Sequence, residues 1–113
     1  MELTGKVALV TGTKRIGAVV ATELARGGAD VALVYRTSRA EADETAETIR
    51  GLQRRAVVMQ ANLREPSACE RIVDDTVHRL GRLEVLVNMA SLYIPRAIDE
   101  TSVEDWDAQM DVD

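Results

Sequence analysis

Four short, unbroken apolar runs recur along the chain: Val7 to Val10, Val31 to Val34, Ala56 to Met59 and Val85 to Val87. A strand with one wet face alternates apolar and polar residues. A strand covered on both faces reads instead as a continuous run, as in a parallel sheet. The segments between the runs carry helical spacing. From Ile16 to Arg26, the residues Ile16, Val19, Val20 and Leu24 are predicted to form one face, and Gly27-Gly28 ends the helix. The second segment sets Ala42, Ala46, Ile49 and Leu52 on a stripe, with many charges opposite. In the third, Pro66 suits a first helical turn, and Cys69, Ile72, Val73, Val77 and Leu80 follow at three-four spacing before Gly81 closes it. This alternation predicts an α/β fold: a parallel sheet with right-handed crossovers and helices on both faces. Beyond the fourth run, Ser91 to Glu100 reads as a loop. Thr101-Ser102-Val103-Glu104 then reads as a capping box, opening a fourth helix that is still running at Asp113.

A length of 113 residues allows one domain, 1–113, whose core buries roughly two-thirds of the unfolded surface. Hydrophobic residues make up 46%, which argues against disorder. A net charge of -5, with both signs intermixed, argues against a nucleic-acid partner. Cys69 is the only cysteine, so no disulfide framework is possible and a reducing compartment is expected. With His78 as the only histidine, no metal site is expected either. Val7 to Val10 is too short for the apolar part of a signal peptide, and no run approaches the length of a membrane span. The expectation is a cytoplasmic domain with no membrane partner. Cys69 reads as core, His78 as exposed, and Trp106 as a packing residue on the fourth helix.

The first run leads directly into Thr11-Gly12-Thr13-Lys14-Arg15-Ile16-Gly17, and a helix follows at once. A helix N-terminus carries unpaired backbone N–H groups and a partial positive charge, so it can hold a pyrophosphate. Gly12 permits the tight turn off the strand, and Gly17 removes a side chain where helix and sheet would collide. The alternative is that both glycines only shape a βα turn. A signalling receiver domain would also alternate strands and helices. It needs acidic residues at the ends of strands one and three, where Val10-Thr11-Gly12 and Met59-Gln60-Ala61 offer none.

Together, the loop Thr11 to Gly17, Asn62-Leu63 after the third run and Asn88-Met89-Ala90-Ser91 after the fourth resemble the short-chain dehydrogenase/reductase family over the whole chain. The loop and the Ala-Ser ending are most similar to pteridine-reductase-like members. The resemblance implies a Rossmann-type doubly wound sheet of four strands in the order 3-2-1-4, truncated relative to the family. It implies that Gly12, Thr13, Lys14, Arg15, Ile16 and Gly17 meet a nicotinamide dinucleotide, with Tyr35, Arg36, Thr37 and Ser38 at the end of strand two. Asn62, Leu63, Asn88, Ala90 and Ser91 complete the implied cofactor set.

Three departures from the family pattern stand out. The loop is one residue short and lacks the middle glycine. Asn62 replaces an aspartate near the adenine amino group, where its amide oxygen can accept the same hydrogen bond. Met89 replaces an asparagine that braces the sheet.

NAD-specific sites carry a carboxylate after strand two that binds the ribose 2′-hydroxyl. Here Val34-Tyr35-Arg36-Thr37-Ser38 has none before Glu41. Arg36 suits a 2′-phosphate through a forked, charge-assisted contact, and Arg15 and Lys14 add charge from the glycine loop, so NADP(H) is favoured over NAD(H). The alternative is that Arg36 and Arg39 pair with Glu41 and Asp43.

The family's chemistry uses a serine and a tyrosine with a lysine four residues later. Tyr35 and Tyr93 are followed at that distance by Arg39 and Ala97. The resemblance leaves Asp113, at the family's asparagine position, as the one candidate catalytic residue. It implies that this chain is the dinucleotide-binding half of a homo-oligomeric reductase acting on a carbonyl or pterin-like substrate. A non-catalytic dinucleotide-binding or interaction module is the alternative.

Overall fold

The computed structural model describes residues 2–12 and 14–89. Its elements alternate: β1 (Val7–Thr11), α1 (Ile16–Arg26), β2 (Asp30–Tyr35), α2 (Arg39–Gly51), β3 (Ala56–Gln60), α3 (Pro66–Leu80) and β4 (Val85–Asn88). The strands form one parallel sheet in the order β3-β2-β1-β4, the expected Rossmann-type arrangement. The backbone steps outward from β1 to β3 and then returns to pair β4 on the other side of β1. The carboxyl ends of β1 and β4 therefore flank the point where the order reverses.

Because successive residues of a strand face opposite sides, each unbroken run feeds two cores. Val7 and Leu9 of β1 join Ala32, Val34 and Met59 beneath α3, with Cys69, Ile72 and Leu80. Ala8 and Val10 join Val31 and Leu33 beneath α1 and α2, with Leu24, Ala46 and Ile49. Leu9 and Leu33 are fully buried, each contributing about 1.5–3 kcal/mol through loss of apolar contact with water. Burial also pushes the Cys69 thiol up, and its Sγ donates to the Leu63 carbonyl. Cys69 is thus an inert core residue, and His78 is exposed, both as expected.

Two helix faces differ from the predicted ones. In α1 the buried residues are Gly17, Ala21, Leu24 and Ala25, while Ile16 is 58% and Val19 62% exposed. The helix turns its smallest residues to the sheet because it runs close to β1, where larger groups have no room. In α3 the buried stripe is Ala68, Cys69, Ile72, Thr76 and Leu80, and Val73 and Val77 are exposed. Thr76 can be fully buried because its hydroxyl donates to Ile72 C=O within the helix at 2.7 Å. In α2, Thr45 joins Ala42, Ala46 and Ile49 in the core, and Leu52 caps the helix half-buried. Gly81 closes α3 in the left-handed conformation, with φ +92° and its N–H on Val77 C=O. The expected loop at Ser91 to Glu100 and the fourth helix from Thr101 lie outside the described residues.

Candidate functional site

All four strands end on one rim, at Thr11, Tyr35, Gln60 and Asn88. The turn from β1 to α1 is the tightest part of that rim. Gly12 has φ +82°, and its N–H donates to Val34 C=O at 3.1 Å, so the backbone leaves β1 while still tied to β2. A Cβ on Gly17 would lie 1.7 Å from the Gly12 carbonyl oxygen and 2.8 Å from its carbon. No side chain fits there: the first turn of α1 rests on the backbone of the loop, and the glycine is obligatory. The N-cap of α1 is Arg15, which makes no side-chain capping bond, and the first turn holds no acidic residue. That helix end keeps its positive field, while the Gly17 N–H turns back onto Lys14 C=O at 2.9 Å.

Arg15 has φ +44° and ψ -107°, a conformation that L residues rarely adopt. It is one of two non-glycine residues with positive φ among the described residues, the other being Gln53. Arg15→Gly is expected to stabilise the domain by about 1 kcal/mol. In a domain of this size that is a rise in Tm of roughly 4–8 °C, read by thermal denaturation. An unchanged or lower Tm would show that the loop holds no such strain.

On the neighbouring strand, Tyr35 is half-buried at the end of β2, Arg36 and Thr37 are exposed, and Ser38 is the N-cap of α2. The two arginines of this segment part company. Arg39 pairs with Asp43 at 3.4 Å, one turn along α2, whereas Arg36 forms no ion pair among the described residues. Lys14 and Arg15 are also without ion pairs there. Three unneutralised cations thus stand on adjacent parts of the rim. Two residues that sequence reasoning missed support this corner: Gln60 Nε2 donates to Arg36 C=O at 3.2 Å, and the Arg71 guanidinium donates to Gln60 C=O at 3.3 Å. Nothing in their local sequence announces this, because the β2–β3 register and the packing of α3 beside β3 create it.

Past β3, the Asn62 amide oxygen accepts the Arg64 N–H at 3.2 Å. Leu63 is buried in the core under α3, so toward a ligand it offers backbone only. Past β1, the buried Thr11 hydroxyl donates to Asn88 Oδ1 at 2.7 Å, and Met89 N–H donates to Thr11 C=O at 2.8 Å. Asn88 thereby ties β4 to β1 under the glycine turn. Met89 packs against the core on the α1 side, with its Cβ 3.7 Å from where a Gly17 Cβ would be. Thr13, Ala90, Ser91 and Asp113 lie outside the described residues.

Among the described residues there is no cluster of His, Cys, Asp and Glu able to hold a metal, and no helix long and apolar enough to cross a membrane. A groove of about 350 Å³ between α1 and α2, lined by Val19, Glu23, Arg26 and Thr48 among others, reaches none of the rim residues.

The sequence pattern of the short chain dehydrogenases matches residues 6–113. The chain belongs to the short-chain dehydrogenase family. It is 41% identical over 107 residues to a hydroxynaphthalene reductase of Aspergillus fumigatus, an alignment covering 94% of this chain and 39% of the reductase. A short-chain dehydrogenase of Burkholderia cenocepacia, solved in complex with NADP, superposes with a TM-score of 0.75 at 44% identity, over 78% of this chain and 36% of its own. A second dehydrogenase from that organism, with bound NADP, superposes with a TM-score of 0.74 at 35% identity, over 77% of this chain and 34% of its own. This short-chain dehydrogenase chain thus spans about two-fifths of the length of the curated relatives it matches.

Proposed function

We propose that this chain is the dinucleotide-binding part of an NADP(H)-dependent short-chain reductase that acts on a carbonyl substrate. The observation that carries the reading is Arg36: exposed, without an ion pair among the described residues, and standing where an NAD-specific site would carry a carboxylate. The rim fits an anionic cofactor, because the first turn of α1 holds no acidic residue and Lys14, Arg15 and Arg36 form no ion pair among the described residues. Gly12 and Gly17 shape the turn, and the positive N-terminus of α1 holds the pyrophosphate. Arg36 pairs with the 2′-phosphate, and Lys14 and Arg15 add charge from the loop side. Tyr35, Thr37 and Ser38 border the ribose, Asn62 and the Leu63 backbone border the base, and Asn88 with Ala90 and Ser91 borders the far half.

When bound, the nicotinamide supplies the hydride. The proton belongs to a tyrosine-lysine pair, and neither Tyr35 nor Tyr93 has a lysine four residues on. Asp113 would act on the proton route rather than on the hydride. Reduction is the favoured direction because the similar hydroxynaphthalene reductase is named for it. A pterin-like substrate is the second reading, favoured by the Lys14-Arg15-Ile16-Gly17 loop and the Ala90-Ser91 ending.

Binding is the decisive measurement on this protein. Titration with NADPH and NADH is expected to give at least about tenfold tighter binding of NADPH, the scale of one charge-assisted contact. Equal affinities would overturn the cofactor assignment, and no binding of either would favour the interaction module. The same reading gives Arg15→Gly a second expected effect. NADPH affinity should fall about fivefold while Tm rises, so that charge and backbone act in opposite directions.

A further inference from the structure

β3 ends the sheet order, so one of its two edges has no strand beside it among the described residues. Arg55 C=O accepts Val31 N–H, and Ala61 N–H donates to Tyr35 C=O, each at 3.0 Å. These two bonds fix the direction of every peptide group between them. Val57 and Met59 turn their backbone groups to β2, and Ala56, Val58 and Gln60 turn theirs away from the sheet. Such an edge is a template for a further strand. Nothing in β3 itself discourages one, because Ala56-Val57-Val58-Met59-Gln60 carries no charge and no proline. The obstruction comes from the helices on either face. From α2, the Arg50 guanidinium donates to Ala56 C=O at 2.8 Å and pairs with Glu47 at 3.0 Å. From α3, on the opposite face, Arg71 donates to Gln60 C=O at 3.3 Å. Of the three outward carbonyls, the two that flank Val58 are therefore occupied.

That spacing matches the pairing two copies would make. A two-fold, antiparallel pairing of β3 with β3, centred on Val58, sets Val58 against Val58 and Ala56 against Gln60. Each facing pair exchanges two bonds, so the pairing has six, and four of them use a carbonyl that Arg50 or Arg71 holds. A partner strand runs about 4.8 Å from its neighbour. A guanidinium bonded 2.8 or 3.3 Å from an edge carbonyl stands in its path. Each oxygen keeps a second lone pair, yet the strand settles only once both arginines swing out. We infer that the β3 edge is a self-pairing surface for a second copy of this chain, held closed by Arg50 and Arg71.

The test is sedimentation of the unaltered protein and of an Arg50→Met, Arg71→Met double variant over a range of concentrations, with thermal melts to confirm folding. The double variant is expected to self-associate at least about a hundredfold more tightly, the scale of four recovered backbone bonds. Overall charge works the other way, since losing two cations makes a net charge of -5 more negative and strengthens repulsion between copies. Adding Val58→Pro should return the double variant to the unaltered behaviour. Proline removes the outward N–H at the centre of the pairing and leaves the bonds to β2 in place. A folded double variant that associates no more tightly than the unaltered protein would overturn the inference, as would association that survives Val58→Pro. If the proline variant does not fold, hydrogen exchange at the Val58 and Gln60 N–H groups of the associated double variant takes its place. Slowed exchange is expected there, and unprotected groups would overturn the surface. Should the double variant not fold, Arg71→Met alone decides. It frees Gln60 C=O in each copy, and no gain in association would then count against the inference.

Discussion

Gly17→Val is expected to remove dinucleotide binding and to destabilise the domain by about 3–5 kcal/mol, at the upper end of what single substitutions do. The first methyl-sized atom would sit 1.7 Å from the Gly12 carbonyl oxygen, and that obstacle is backbone, with no rotamer through which it could swing away. Either α1 lifts from the loop or Gly12 is driven out of its φ +82° turn, and with it the N–H bond to Val34. Both movements open the turn that gathers N–H groups toward a pyrophosphate, so binding and stability fall together. A loss of this size is a large share of the ~5–15 kcal/mol that holds a domain together. His78→Ala is the control, since His78 is exposed and its removal should stay within about 0.5 kcal/mol. Thermal denaturation and NADPH titration of the two variants read the effect. A Gly17→Val protein that melts and binds like the unaltered one would mean that α1 does not rest on Gly12.

Arg36→Asp is expected to weaken NADPH by about 1.5–3 kcal/mol and to equalise or reverse the preference over NADH. The sign follows from charge. The variant loses a guanidinium that faces a dianionic 2′-phosphate and gains a carboxylate that repels it, yet accepts a hydrogen bond from a 2′-hydroxyl. Stability should barely change, because Arg36 is exposed and in no ion pair among the described residues. Arg39→Ala separates this from a general loss of positive charge. Its guanidinium is already paired with Asp43, both side chains are more than half exposed, and such a pair is worth about 0.3–0.5 kcal/mol. Titrations at low and high salt should show the NADPH preference shrinking as salt screens the partly exposed contact. Equal losses in the Arg36 and Arg39 variants would argue for a diffuse field instead of a defined phosphate site.

Much of this architecture is legible in the order of the residues. The unbroken runs locate every strand to within one residue at either end, because only a strand buried on both faces tolerates such a run. α1 begins at Ile16 and ends at Arg26, as its glycines indicate, and Gly81 ends α3 for the same conformational reason. The glycine loop is also readable as a turn, since strand, glycine and helix follow one another with no spare residues. The faces of α1 and α3 are not. Hydropathy ranks Ile16, Val19, Val73 and Val77 above Gly17, Ala21, Ala68 and Thr76, yet burial depends on how near the helix axis runs to the sheet. Where the approach is close, small residues win.

The same division runs through the site. Which residues reach the rim follows from where each strand ends, and strand ends are set by local sequence. The residues after β2 likewise announce that no carboxylate waits there before Glu41. Which groups remain available is another matter. Arg36 and Arg39 look alike in sequence, each with an acid four or five positions on. Only the start of α2 decides between them, by putting Arg39 one helical turn from Asp43 and leaving Arg36 outside the helix. The Gln60 bond to Arg36 and the Thr11 bond to Asn88 join strands whose contact no local pattern encodes. Periodicity and backbone preference act over a few neighbours and so can be read from sequence. The direction of a donor or the freedom of a charge depends on partners brought near by the register of the sheet, and that was decided by tertiary structure alone.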